Sequence, residues 1–329
     1  MKIIDLFSGI GGFSLGFQRA GYHFTEHYFS EIDKHAIANY KYNFPHAKNL
    51  GDITTLHGGD FTDIDIITFG SPCVDFSLAG RRAGLKGAKS SLIQHAIALI
   101  ADIRPSIFIW ENVKGAFSSN AGADFWAIIQ AFADIGGYRL EFQLLNTKWV
   151  LPQNRERIYL IGHLAGRSQP GVFPITEDDC APRKEKTYQF QAKLSGTLKA
   201  NGNMNADDTY IIPKTASTLT GGGHSGGLHS DMTVIRQLPR GKNKGADLKI
   251  CPTISSNAFQ ENNLLGGVRR LTEIECERLQ GFLDNWTQYG NYNGTIKPIA
   301  KTQRYKLIGN AVTVDIVELI AKRLKNIQK

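Results

Sequence analysis

Cys73 is the residue of this chain best suited to covalent chemistry. It follows Pro72 in a loop leaving a compact apolar run, Asp65 to Phe69. A buried strand there would hold the backbone rigid while the thiol is presented. A free thiol ionises at about 8.5, so a nucleophilic cysteine needs help in forming its thiolate. Taken alone, a cysteine is more often structural. Glu111 is the counterweight. It ends a second apolar run, Ser106 to Trp110, and in a parallel sheet that strand end faces the Cys73 loop. A carboxyl group beside a nucleophile manages protons, and Asn112 can anchor its turn. Gln153, Arg155 and Arg157 precede a further apolar run. Alternate residues of a strand share a face, and paired guanidiniums there bind phosphate or a carbonyl oxygen and favour a thiolate. The plain alternative is a solvated charge cluster.

A second group of residues suits a nucleoside. "DLFSGIGG" (residues 5–12) joins a strand to a helix, and glycines permit a tight turn and close backbone approach to a ligand. Asp5 and the loop amides can hold the polar part of such a ligand. Glu31 ends the next strand candidate, where an acid accepts from ribose hydroxyls. Asp52, after Gly51, can accept from the amino group of a base. Each acid is equally a surface acid or a helix cap; the ordered set favours a nucleoside cofactor. The loop lacks full G-x-G-x-x-G spacing, which leaves a nicotinamide or flavin enzyme as runner-up.

The elements that must position these residues alternate. Strands are expected at Lys2–Phe7, His27–Ser30, Asp65–Phe69, Ser106–Trp110, Leu140–Leu144 and Arg157–Ile161. Helices are expected at Phe13–Ala20, Lys34–Asn43, Leu92–Ile103 and Phe125–Ile135. This rhythm predicts a three-layer α/β domain with its chemistry at the strand ends. From about Gly166 to Gly267 the chain is rich in glycine, asparagine and threonine ("TLTGGGHSGGLHSD"), which predicts a small irregular domain with binding loops. Helical pattern returns at Thr272–Gln280, with Gly281 as C-cap, and at Asp315–Lys325. The last helix can pack back on the first domain, making the middle an insertion.

The 329 residues carry 38 Lys and Arg against 30 Asp and Glu, a formal charge of +8, which attracts phosphate-rich partners. Four scattered cysteines form no zinc pattern and no disulfide framework, and suit a reducing cytosol. No metal site is expected, and no segment reads as a membrane span.

At this point the chain resembles the DNA cytosine C5-methyltransferases of the bacterial or phage restriction–modification type. "DLFSGIGG" is similar to the family's cofactor loop and "GSPCVDFS" to its Pro-Cys loop. "ENVKG" and "QNRER" match two further motifs. "RRLTEIECERLQGF" resembles the segment returning from target recognition, and "YKLIGNAV" the final motif. The resemblance spans both ends of the chain and leaves out most of the variable middle.

The resemblance implies an α/β S-adenosylmethionine-dependent methyltransferase fold. Its sheet would be mixed and mostly parallel, with helices on both faces, plus a small irregular target-recognition domain. Residues 1–165 would bind cofactor and catalyse, 166–268 recognise the target, and 269–329 complete the catalytic domain. Cys73 would attack C6 of a flipped cytosine in double-stranded DNA, Glu111 would engage N3 and the amine side, and Arg157, with Arg155 nearby, would support the base. Asp5, Phe7, Gly9, Gly11, Glu31, Ile32, Asp52, Pro72 and Asn310 would form the S-adenosylmethionine pocket. Pro72 would also shape the base pocket, and Ile32 would pack on adenine or, equally, belong to the core. The chemistry agrees: C5 of neutral cytosine is a poor methyl acceptor until a thiolate adds at C6, and a stacked base must leave the duplex to be reached.

Two positions depart from the family's usual pattern. Val74 stands where glutamine is frequent, and Ser71 where proline or phenylalanine is. Arg81, Arg82, Lys86 and Lys89, in a glycine-spaced stretch after Cys73, are candidate phosphate contacts. Thr218, Thr220, Gly221–Gly223, Arg236 and Arg240 are candidate groove residues. A monomer is expected, DNA-associated in the cytoplasm of a bacterial or phage-infected cell; stand-alone modification, functional pairing with a restriction endonuclease and phage self-protection all stay open. An RNA cytosine methyltransferase and an inactive DNA-binding module are the alternatives.

Overall fold

A computed structural model describes residues 1–71, 92–117, 123–180 and 271–327, and the backbone of five short strands between 235 and 270. In chain order the elements are β1 (Lys2–Leu6), α1 (Gly12–Arg19), β2 (Glu26–Ser30), α2 (Lys34–Asn43), β3 (Lys48–Asn49), β4 (Ile66–Gly70), α3 (Leu92–Ile103), β5 (Ile107–Val113), α4 (Ala123–Asp134), β6 (Tyr138–Asn146), β7 (Gln153–Asn154) and β8 (Glu156–Leu164). The middle holds β9 (Ile235–Gln237), β10 (Ala246–Leu248), β11 (Cys251–Pro252), β12 (Asn263–Leu265) and β13 (Arg269–Arg270). The chain closes with α5 (Glu273–Leu279), β14 (Tyr289–Tyr292), β15 (Thr295–Pro298), α6 (Lys301–Asn310) and α7 (Val314–Ile327).

Seven strands form one sheet in the order β3-β2-β1-β4-β5-β8-β6. The first five run parallel, and β8 lies antiparallel to both of its neighbours. The period of two sorts side chains onto the two faces. Ile3, Ile66, Ile107, Ile109, Tyr159 and Ile161 pack under α1 and α7. Ile4, Leu6, Ile67, Phe69, Phe108, Trp110, Ile158 and Leu160 pack under α3 and α4. A third cluster joins Phe29 and Tyr40 of the first half to Cys276, Leu279, Tyr305 and Ile308 of the last. The final helix does return to the first domain, burying Ile316, Val317, Ile320, Ala321 and Leu324. Each large aliphatic chain so buried contributes about 1.5–3 kcal/mol.

Helix α5 starts where a capping box places it: Thr272 Oγ1 accepts from the Glu275 amide, while Glu275 reaches back to the Thr272 amide at 2.7 Å. Strand β5 runs to Val113, past the expected end at Trp110, because β8 pairs with it as far as Val113 and Arg157. The middle region forms its own four-stranded sheet, β10-β9-β12-β13, and β11 pairs in parallel with β7.

Candidate active site

The parallel strands end on one edge of the sheet, and most described candidate residues are there. Phe7 follows β1 with φ of 50°, a conformation that costs a bulky residue about 1–3 kcal/mol and persists only when its surroundings impose it. Gly9 and Gly11 also have positive φ, at 53° and 82°. A Cβ on Gly9 would meet nothing within 4 Å, so the loop faces open space there. Glu31, one residue beyond β2, accepts from the amides of Gly9 (2.9 Å), Ile32 (2.8 Å) and Asp33 (2.9 Å). It thereby ties the glycine loop to the start of α2. Ile32 is 73% exposed, an apolar side chain left uncovered beside that carboxylate. Asp52 caps a short 3-10 turn through Thr54 N at 2.9 Å, and its second oxygen has no partner among the described residues. Asn310 ends α6 with its side chain exposed. An open glycine cradle, a carboxylate, a bare aliphatic side chain and two further polar groups fit a nucleoside with a charged tail.

Asp5 is placed differently from its neighbours. Its side chain points away from the open edge and is fully buried beneath α1. Thr68 (3.0 Å), Ser14 (3.2 Å) and Tyr40 (3.2 Å) donate to it, and His27 Nε2 lies 2.9 Å from Ser14 Oγ and 2.8 Å from Tyr40 Oη. Burial pushes the Asp5 carboxyl up to about 7 against these hydrogen bonds, with Glu31 adding to the rise. Burial likewise pushes the His27 imidazole down to about 4. Asp5 therefore supports the loop from below. Ser14, Tyr40, His27 and Thr68 carry no sequence signal for this role, since each comes from a different element.

On the same face of the sheet, Glu111 and Arg157 are diagonal neighbours across β5 and β8, because Glu111 pairs with Tyr159 and Val113 with Arg157. Arg157 Nε lies 3.1 Å from Glu111 Oε1, with both side chains nearly buried. That distance makes an ion pair, but the groups are not aligned for a hydrogen bond, so Oε1 keeps an unfilled acceptor position among the described residues. A Cβ on Gly70 would come within 3.0 Å of Glu111 Oε2, so glycine at 70 gives this carboxylate its room.

On the opposite face, Ser71 Oγ accepts from Trp110 Nε1 and Asn112 Nδ2, both at 3.0 Å, and Asn112 also reaches the Ser71 carbonyl at 3.2 Å. Asn112 anchors the residue before Pro72 rather than the Glu111 turn alone.

Arg155 precedes β8, and its guanidinium is not at Glu111. It donates to the carbonyls of Ala311 (2.8 Å) and Gly309 (3.4 Å). Gln153 likewise reaches the return segment, donating to Leu279 O at 2.7 Å. Pro72, Cys73, Val74 and the basic residues from Arg81 to Lys89 lie outside the described residues, as do Thr218–Gly223, Arg240 and the side chain of Arg236. Of the two thiols described, Cys276 is buried, and burial beside Asp179 and Glu177 raises that of Cys180, so neither is primed as a nucleophile.

A model of the C-5 cytosine-specific DNA methylases matches residues 1–326. The type II methyltransferase M.Bsp6I of Bacillus sp. (strain RFL6) is 29% identical over 338 residues, covering 98% of each chain. The orphan methyltransferase M.SPRI of Bacillus phage SPR is 34% identical over 431 residues, covering 98% of this chain and 97% of that one. Among solved structures, a putative DNA modification methyltransferase encoded within an E. coli prophage superposes with a TM-score of 0.62 at 21% identity, covering 99% of both chains. The S. pombe Dnmt2 methyltransferase gives 0.62 at 19% identity, covering 99% of this chain and 98% of that one. The last two likenesses speak to the fold.

Proposed function

This chain belongs to the C-5 cytosine-specific DNA methylases, and from that premise we propose how its residues divide the work. The activity is sequence-specific methylation of DNA cytosine at C5, with S-adenosylmethionine as cofactor. The observation that carries this reading is a family match along the whole chain, joined to a glycine loop and a Glu111–Arg157 pair on one edge of the sheet.

S-adenosylmethionine supplies the methyl group. The Gly9–Gly11 loop, Phe7, Glu31, Ile32, Asp52 and Asn310 hold it, with Glu31 on the ribose side and Ile32 against the base. Asp5 holds the loop from beneath, and Pro72 shapes the wall between cofactor and substrate. Cys73, as thiolate, bonds to C6 of the flipped cytosine and pushes electron density to C5. Glu111 accepts from the exocyclic amine, a role that the unfilled position on its buried Oε1 suits, and its carboxyl group delivers a proton to N3 as the thiolate adds at C6. Arg157 keeps Glu111 oriented and bears on the base. Once C5 carries its methyl group, solvent water takes the C5 proton, the electron pair of that bond re-forms C5=C6 and expels the Cys73 thiolate, and N3 returns its proton to Glu111, so the ring is aromatic again.

Residues 1–165 and 269–329 act as the catalytic domain and 166–268 as the target-recognition domain; the separate four-stranded sheet of the middle supports that division. A monomer suffices, because one chain supplies every residue named. Relatives come from bacteria and a phage, and we place this protein on the DNA of such a cell. Among the described residues no helix is long and apolar enough to cross a membrane.

The test is transfer of labelled methyl groups to unmethylated duplex DNA, mapped by sequencing that detects C5-methylcytosine, with Cys73→Ser beside the wild type. Label on cytosine C5 that disappears in the variant supports the assignment. Label that persists in the variant overturns Cys73 as nucleophile, and transfer to RNA alone overturns the substrate.

A further inference from the structure

Along the segment 153–157 the alternate side chains reach three different places. Gln153 Nε2 donates to Leu279 O, Arg155 to Gly309 O and Ala311 O, and only Arg157 meets Glu111. The two carbonyls held by Arg155 bracket Asn310. They also lie at the C-terminus of α6, where the helix dipole is negative and where α6 has no basic residue in its own last turn. A guanidinium arriving from outside fills that role and spans two carbonyls with a planar fork.

Arg155 is itself pinned. It is 3% exposed, its amide donates to Asn146 Oδ1 at 3.2 Å, and its carbonyl accepts from Thr147 N at 2.9 Å. The turn it holds continues into Val312, whose side chain would stand 2.7 Å from a Cβ on Gly12. A shift of residues 309–312 would therefore move Asn310 and press on the glycine loop together.

We propose that Arg155 is a positioning residue of the cofactor pocket, fixing the turn that presents Asn310, and does not hold the base. This rests on the reading that Asn310 lines the S-adenosylmethionine site. Its consequence is a division within one short motif: Arg155 governs cofactor affinity and Arg157 governs the chemical step.

The experiment compares wild type, Arg155→Lys, Arg157→Lys, Asn310→Ala and the Arg155→Lys/Asn310→Ala double variant as full-length chains. For each, the dissociation constant of S-adenosylmethionine is measured calorimetrically without DNA. The single-turnover methylation rate is measured at saturating cofactor, and the thermal midpoint without ligand. A lysine keeps the charge but loses the fork. Arg155→Lys is expected to weaken cofactor binding about tenfold, the scale of one charged hydrogen bond, with the saturated rate within about threefold of wild type. Arg157→Lys is expected to do the reverse. The double variant should bind cofactor little more weakly than Asn310→Ala alone.

Equal loss of cofactor affinity, rate and thermal midpoint in Arg155→Lys would mean a merely structural role and overturn the proposal. So would an unchanged cofactor affinity with a fallen rate. Should Arg155→Lys not fold, Arg155→Gln, which keeps a donor for Ala311 O, replaces it under the same criteria. If Asn310→Ala leaves cofactor binding unchanged, the placement of Asn310 fails and the proposal falls with it. If Asn310→Ala weakens binding and Arg155→Lys does not, the positioning role alone is refuted.

Discussion

The Ser71 hydroxyl is the acceptor for the indole N–H of Trp110, a residue with no exposed surface. Removing the hydroxyl in Ser71→Ala leaves that donor buried without a partner, which costs about 1–3 kcal/mol. Asn112 loses less, because its amide keeps the Ser71 carbonyl at 3.2 Å. Trp110→Phe removes the donor but shrinks a core side chain, at some fraction of the about 3–5 kcal/mol of a full truncation to alanine. In the double variant no orphan donor exists, so its cost should fall short of the sum of the single costs by about 1–2 kcal/mol. Urea unfolding of the four proteins at one pH measures this, provided the dependence on urea is common to all. Ser71→Pro should be worse than Ser71→Ala in the Trp110 background and recover in the Trp110→Phe background. Single-turnover methylation should fall in the same order, since Ser71 roots the segment that leads to Cys73. Additivity within about 0.5 kcal/mol would refute the coupling.

Ile32→Ala should change unfolding free energy by no more than about 0.5 kcal/mol, the side chain being 73% exposed; it should nevertheless weaken S-adenosylmethionine binding about tenfold in a calorimetric titration. The buried pair Asp5 and His27 should be silent in the wild type and visible in variants. With Asp5 raised to about 7 and His27 lowered to about 4, the folded chain keeps the proton on Asp5 that the unfolded chain carries on His27, so the proton counts match between pH 4 and 6.5. Asp5→Asn leaves only His27, and stability should then rise with pH from about 4 to 6.5; His27→Gln leaves only Asp5, and stability should fall from about pH 4 to 7, each by up to about 1.4 kcal/mol per pH unit. Denaturant unfolding across this range decides it, and variants sharing the wild-type profile would sink the idea.

Much of the α/β fold was legible because its signals are local. Apolar runs such as Ile66–Phe69 and Ile107–Trp110 are short and bounded, the turn at Gly9–Gly11 needs positive φ, and Thr272 with Glu275 marks a helix start. Period-two parity then places Glu111 on the face of Asp5, and Trp110 on that of Ser71. The partners of those residues were not legible. Glu111 meets Arg157 only because β8 runs antiparallel beside β5 in a particular register, and no local pattern states that register. Asp5 looked like a cofactor ligand because it begins the glycine motif, yet in a strand the residues two apart share a face, and Asp5 shares its face with Ile3 beneath α1.

A motif letter does not fix what its side chain does. Gln153, Arg155 and Arg157 alternate regularly, and alternation alone would send all three to the base pocket. β8 begins only at Glu156, so Arg157 is held by the ladder while Arg155 lies before it, with its guanidinium on the carbonyls at the end of α6. What decides between the two directions is the end of a helix more than 150 residues later, which exposes two carbonyls with no cation of its own. The two ends of the chain are joined by polar contacts as well as by apolar packing. Thr147 with Thr313 at 2.8 Å, Gln153 with Leu279 and Arg155 with Ala311 are such contacts, all drawn from the stretch between β6 and β8. That stretch also gives β7 its pairing with β11 of the middle region. That stretch and the start of β8 together therefore touch the return segment, Glu111 and β11. Their side chains are selected by three environments at once, which is why substitutions two residues apart should separate cofactor affinity from chemistry.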